Sequence, residues 1–100
     1  MMKKVGDRVI AILGVKNGVV QMFGEGVYAG DFPLPEWAGG FNFGQVNPRI
    51  DLDSGKVVWG CECWWGAKEA MQKKLEGQAI EIVDPDDIRA RVAKLEEVTR

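Results

Sequence analysis

The stretch VIAILGVKNGVV, residues 9–20, constrains the fold more than any other in this chain of 100 residues. It is rich in aliphatic and β-branched side chains and is interrupted by Asn17-Gly18, the dipeptide most strongly tied to a two-residue β-hairpin turn. The return strand, VVQMFGEGVYAG, carries Gly24 and Gly26. Glycine inside a strand pattern marks a bulge or a sharp bend, which small barrels use to turn corners. A curved antiparallel sheet is therefore expected from the first third of the chain.

The remainder extends this pattern. Residues 31–47, DFPLPEWAGGFNFGQVN, read as a long irregular loop, broken by proline and glycine yet carrying Phe32, Trp37, Phe41 and Phe43. Loops rarely hold so many aromatic side chains unless they pack down as a lid or bind a partner. NPRIDLDSGKVVWG predicts a second hairpin, turning at Asp53-Ser54-Gly55. AKEAMQKKLEG predicts a short helix with Ala67, Ala70, Met71 and Leu75 on one face and Gly77 as its stop. QAIEIVD predicts a strand with Ile80 and Ile82 inward. A final helix is expected to begin at Asp84 as cap and Pro85 as first residue, with an apolar stripe of Ile88, Val92 and Leu95 and an Asp87–Arg91 pair. There are no internal repeats and no linker. The expected architecture is one α+β domain over residues 1–100: a small SH3-like barrel or strongly bent antiparallel sheet, with two C-terminal helices.

Composition narrows the chemistry. The formal charge of -2 argues against non-specific nucleic-acid binding, which needs a concentrated basic surface. With no histidine in the chain, Ser-His and Cys-His nucleophile pairs and the usual near-neutral general base are excluded. No apolar run approaches membrane-spanning length, and the start, MMKKVGDRVIAILGV, is too short and polar for a signal peptide. A reducing cytoplasmic setting is the expectation, with free thiols at Cys61 and Cys63.

The densest feature is WGCECWWG, residues 59–66. If residues 57–65 form an unbroken strand, Val57, Trp59, Cys61, Cys63 and Trp65 share the core face, while Val58, Gly60, Glu62 and Trp64 share the wetter one. A bulge at Gly60 would reverse the faces before it. Trp59 and Trp65 are then core residues and the two cysteines small buried hydrophobes. Two thiolates at this spacing are half a zinc site with no histidine or further cysteine to complete it, and a disulfide between them would be strained. No metal or cofactor is expected.

Asp51 and Asp53 alternate as a carboxylate pair for acid–base work would, but on a strand entering a turn they are expected to face water. GEGVYAG lacks the lysine and helix of a phosphate loop. The more informative constellation is dispersed. Trp64 and the aromatic loop offer stacking planes through Trp37, Phe41 and Phe43, Arg49 offers a planar donor fork, and Glu62 sits beside Trp64. Those parts suit either a nucleotide-like ligand or a protein-interface hot spot.

The segments VGDRVIAI, FGEGVYAGD and NPRIDLDSGKVVWGCECWWG, with the trailing helix and strand, together resemble a family of small, largely uncharacterised proteins of bacteria and their phages. The resemblance covers most of the chain and implies a prokaryotic or phage setting rather than a reaction. By association, the resemblance implies action by binding, which is common among small phage-type proteins without catalytic equipment. The expectation is a non-enzymatic, homo-oligomeric binding protein, of the counter-defence type that sequesters a nucleotide-like signal. The alternative is a protein–protein interaction module that inhibits or adapts a host protein through its aromatic loop. Because the C-x-C pair lacks further ligands, elemental analysis of dialysed protein is expected to find no stoichiometric zinc; one zinc per chain would overturn that reading.

Overall fold

The computed structural model describes residues 4–35 and 45–99, with side chains as far as Leu95. In chain order the elements are β1 (Arg8–Lys16), β2 (Val19–Pro33), β3 (Val46–Leu52), β4 (Val57–Trp59), a single 3-10 turn (Gly60–Glu62), β5 (Trp64–Ala67), α1 (Lys68–Leu75), β6 (Ala79–Ile82) and α2 (Pro85–Thr99). The expected α+β class is what the structure has.

The main path of the sheet is β4-β3-β2-β1-β5, antiparallel throughout, and β6 joins β2 in parallel. Although the 3-10 turn connects β4 directly to β5, these two strands do not pair, so the sheet is strongly bent but open. Of the two expected forms, the structure has the bent sheet rather than a closed barrel.

β2 explains the curvature. Its 15 residues pair with β1 along Val19–Val27, with β6 along Val19–Met22 and with β3 along Gly26–Pro33. The register with β1 shifts beside Gly24, and the register with β3 shifts at Gly30. Both glycines hold positive φ, +126° and +117°, which an L side chain rarely adopts. The predicted Asn17-Gly18 hairpin and the Asp53–Gly55 turn are both present, the latter closed by the Leu52 N–H donating to the Lys56 carbonyl.

Alternation along β1 buries both of its faces. Val9 and Ala11 join Phe23, Ile50, Leu52, Val58, Cys63 and Val83 in the larger core. Ile10 and Ile12 join Val20 and Met71 in a second cluster beneath α1, with Met22 and Leu75 packed alongside. The predicted inward face of α1 is thus right for Met71 and Leu75, whereas Ala70 is exposed. At the start of α2 the Asp86 N–H donates to Asp84 Oδ1 at 2.8 Å, the predicted cap, and Pro85 is buried.

Four expectations are corrected. Ile80 and Ile82 do not point inward: β6 attaches outside β2 and all four of its residues are exposed, so Val83, just beyond it, is the one that enters the core. Of the α2 stripe only Ile88 reaches the core, because the helix then runs off the sheet and leaves Val92 and Leu95 in solvent. Asp86, rather than Asp87, is the first-turn carboxylate of α2 in the ion pairs described, with Lys56 and Arg89. The expected irregular stretch at 31–47 is trimmed from both ends, since β2 continues to Pro33 and β3 begins at Val46. Among the described residues, no helix is long and apolar enough to cross a membrane.

Gly26 tests how tightly β2 and β3 are packed. A Cβ there would stand 2.3 Å from the Asp51 carbonyl oxygen and 2.8 Å from Leu52 Cα, both backbone atoms that cannot swing away. Gly26→Ala is expected to cost about 3 kcal/mol through forced strand separation. Gly14→Ala, where a Cβ meets nothing within 4 Å, is expected to change stability by no more than about 0.5 kcal/mol. Urea midpoints at constant slope check both.

Candidate functional site

The sequence WGCECWWG is not one strand. Trp59 ends β4, residues 60–62 form the 3-10 turn, and β5 starts at Trp64. Local bonds favour the turn over an extended chain. The Cys61 N–H donates to Asn47 Oδ1 at 2.8 Å, and the Trp59 N–H donates to Glu62 Oε1 at 3.1 Å. Gly60 lies so close to β3 that a Cβ would meet Pro48 Cδ at 2.9 Å. The turn also reverses the strand faces, as a bulge at Gly60 would. Val58 enters the core before it, and Cys63 and Trp65 enter after it, while alternation puts Trp59 on the opposite side from Val58.

The tryptophans therefore have three different roles. Trp65 packs against the larger core and stacks on Tyr28, with ring centroids 5.3 Å apart. Trp59 is 6% exposed, as expected of a packed residue, yet its buried indole N–H has no hydrogen-bond acceptor among the described residues. Trp64 is 74% exposed. It pairs with Ile12 across the β1–β5 ladder, on the sheet face that α1 covers further along at Ile10 and Met71.

The cysteines also diverge. Cys63 is buried and its thiol donates to the Trp59 carbonyl at 3.4 Å. Cys61, expected to be buried, is exposed, because the 3-10 turn carries it out of the strand. Among the described residues, no group of three or more Cys, Asp or Glu side chains is placed to hold a metal ion.

Glu62 is committed to the fold. Its carboxylate takes both arms of Arg89, Nε at 2.9 Å and Nη2 at 2.8 Å, and Nη2 also donates to the Val57 carbonyl at 2.8 Å. The side chains are 20% and 25% exposed. A charge-assisted bond this sheltered contributes on the order of 1.5–3 kcal/mol, and it holds α2 against the 3-10 turn. Asp86 extends the contact by pairing with both Arg89 and Lys56, and these cations hold its carboxyl below the usual range. Arg89 escapes sequence reading because its partner lies 27 positions away and neither residue belongs to a recognisable motif.

Arg49 lies on the outer face of β3, bonded through Nε to Asp51 Oδ1 at 3.0 Å and stacked 4.2 Å from the centroid of Phe32. Its ladder neighbours are Gly30 on β2 and Trp59 on β4. Trp64 and Arg49, expected to share a surface, occupy β5 and β3, with β2 and β1 between them along the sheet. Trp37, Phe41 and Phe43 lie outside the described residues. Asp53 belongs to a surface network: Arg8 bonds both Glu25 and Asp53, and Lys68 reaches Glu25 at 3.3 Å. Arg8 depresses the pKa of both carboxyls, so the pair that could suggest acid–base chemistry is instead divided between two arginines, Arg49 for Asp51 and Arg8 for Asp53.

No protein-family model matches the chain, and no curated protein or solved structure shows significant similarity to it.

The thiols supply a test of the turn. Burial, with Glu62 nearby, pushes Cys63 up to about 12. A thiol that stays protonated in the fold but ionises in the unfolded chain stabilises fully below its ordinary value, and that contribution is lost as pH rises toward the folded one. Stability is therefore expected to fall above about pH 9, by up to about 1.4 kcal/mol per pH unit, and the fall should be smaller in Cys63→Ala. Thiol labelling of native protein should modify Cys61 alone, with Cys63 reacting only on unfolding.

Proposed function

We propose that the protein is a non-enzymatic protein–protein interaction module and that Trp64 is the anchor of its contact surface. One observation carries the reading: a tryptophan at 74% exposure on a short strand whose other three residues are all at least partly buried. Exposing a large indole gains nothing for the fold, whereas tryptophan is one of the residues most enriched at interface hot spots, where it fills a well-packed pocket of the partner. The nucleotide-sequestering alternative has weaker support. The arginine that would grip a phosphate already has a carboxylate on its fork, and two strands of the sheet lie between it and the stacking residue.

A host protein is the proposed partner, in line with the resemblance to small bacterial and phage proteins. Self-association is a second proposal and rests on a separate feature, the exposed Val92 and Leu95 of α2. Two-fold pairing of such faces is the commonest form of assembly.

Trp64→Ala separates these readings. Its melting curve is expected to match the parent's closely, since an exposed side chain contributes little to stability. Affinity for a captured partner is expected to fall by about 2 kcal/mol or more. Calorimetry of the parent against cyclic and linear nucleotides is expected to show no binding. Nucleotide binding that disappears with Trp64→Ala would overturn the proposal, as would a variant that fails to fold.

A further inference from the structure

An open cavity of about 320 Å3 lies between the end of α1 and the strands β1, β2 and β6. Ile10, Met22, Leu75 and Ile80 give it an apolar wall, and two carboxylates, Glu25 and Glu76, also line it. Ile10 is 4% exposed and Ile80 44%, so the wall runs from the packed sheet out to solvent. No lysine or arginine lines the cavity. The two carboxylates differ in what they have left to offer. Glu25 is engaged, with Arg8 Nε at 2.9 Å and Lys68 Nζ at 3.3 Å. Glu76 is exposed and has no ion pair among the described residues. It caps the C-terminal end of α1, where unpaired carbonyls add partial negative charge. Lys73 and Lys74 belong to the same helix turn but do not line the cavity.

We propose that this cavity receives a long basic side chain, lysine or arginine, from a partner protein. Such a side chain is a hydrocarbon stem with a charge at its tip, and the cavity offers an apolar wall beside a carboxylate at the wet margin. The stem lies on Met22, Leu75 and Ile80 while the head stays hydrated next to Glu76. Because Glu76 is exposed, no charge has to be buried, and the cost of a desolvated ion pair does not arise. Apolar contact supplies most of the affinity, and Glu76 sets the sign of the charge accepted. An acidic side chain would be repelled by Glu76, and a purely apolar one would leave that carboxylate unused. A free polyamine fits less well, since it needs a carboxylate at each end and Glu25 is already taken. The proposal does not rest on Trp64, which does not line the cavity.

The test is a methyl NMR titration of the full chain, 13C-labelled at isoleucine and leucine. The Ile80 signal is assigned by its loss in Ile80→Val. The probes are acetyl-Gly-Lys-Gly-amide and acetyl-Gly-Arg-Gly-amide, and the same peptide with norleucine or glutamate at its centre. Both basic peptides are expected to move the Ile80 and Leu75 signals saturably at millimolar concentration, leaving Ile50 of the larger core in place. The norleucine peptide should bind about two- to fivefold more weakly, the range of an exposed ion pair, and the glutamate peptide should not bind. Glu76→Gln should weaken the lysine peptide by a similar factor at unchanged melting temperature, and Trp64→Ala should leave its binding unaltered. The proposal is overturned if neither basic peptide moves the Ile80 signal, or if the norleucine peptide binds as well as they do. It is also overturned if Glu76→Gln binds the lysine peptide as tightly as the parent. Movement of the same signals on diluting the free protein would overturn it too, by making a second copy of this chain the occupant.

Discussion

β2 holds the molecule together because it hydrogen-bonds to three other strands. It pairs with β1 on one edge and with β6 and then β3 on the other. A strand of 15 residues can serve three partners only if it bends, since a flat one would carry β3 and β6 along the same straight edge. The bend at Gly24 lies between the two segments and divides the second edge of β2 between its two occupants. Everything that follows in the chain inherits that geometry, including the path of the 3-10 turn from β4 to β5.

Burial on both faces of β1 is the second consequence. A lone curved sheet of this size has one protected side, but α1 follows β5 immediately and folds back over Ile10 and Ile12. The result is two apolar clusters sharing one strand. α1 has only 8 residues, so its cover stops short, leaving Trp64 exposed at the β5 margin and Ile80 at the β6 margin of that face. The exposure of Trp64 thus follows from helix length as much as from strand alternation.

Charge finishes the packing. Arg89 fastens the start of α2 to the 3-10 turn through Glu62 and Val57, while Arg8 ties β1 to β2 and to the β3–β4 turn. These two contacts differ in weight. The first is sheltered and holds separate elements together; the second is exposed, where solvent screening leaves such pairs worth little. Glu62 therefore acts first as a structural residue, whereas Trp64, which makes no such contact, keeps most of its surface exposed.

The hairpins at Asn17-Gly18 and Asp53–Gly55, both helices, the Asp84 cap and the bend at Gly24 were legible from sequence, because each depends on residues within a few positions of one another; Gly26, expected to bend β2 as well, instead lets β3 approach closely, and the second bend falls at Gly30. Local backbone preference and hydrophobic period determine such features before any long-range contact forms. The faces of WGCECWWG were not legible. They turn on whether residues 60–62 stay extended, and Asn47 and Pro48 of β3 decide that by bonding and packing against the turn. The roles of Glu62 and Arg49 escaped for the same reason, since Arg89 and Phe32 reach them only through the fold. Ile80 and Ile82 carry the pattern of an inward strand, yet β6 docks on the outer edge of β2 and leaves both exposed. Sequence by itself thus determined the elements and their turns, whose energetics are local. Only the tertiary structure decided which aromatic and charged groups remain available, because availability is what is left after distant segments have taken their contacts.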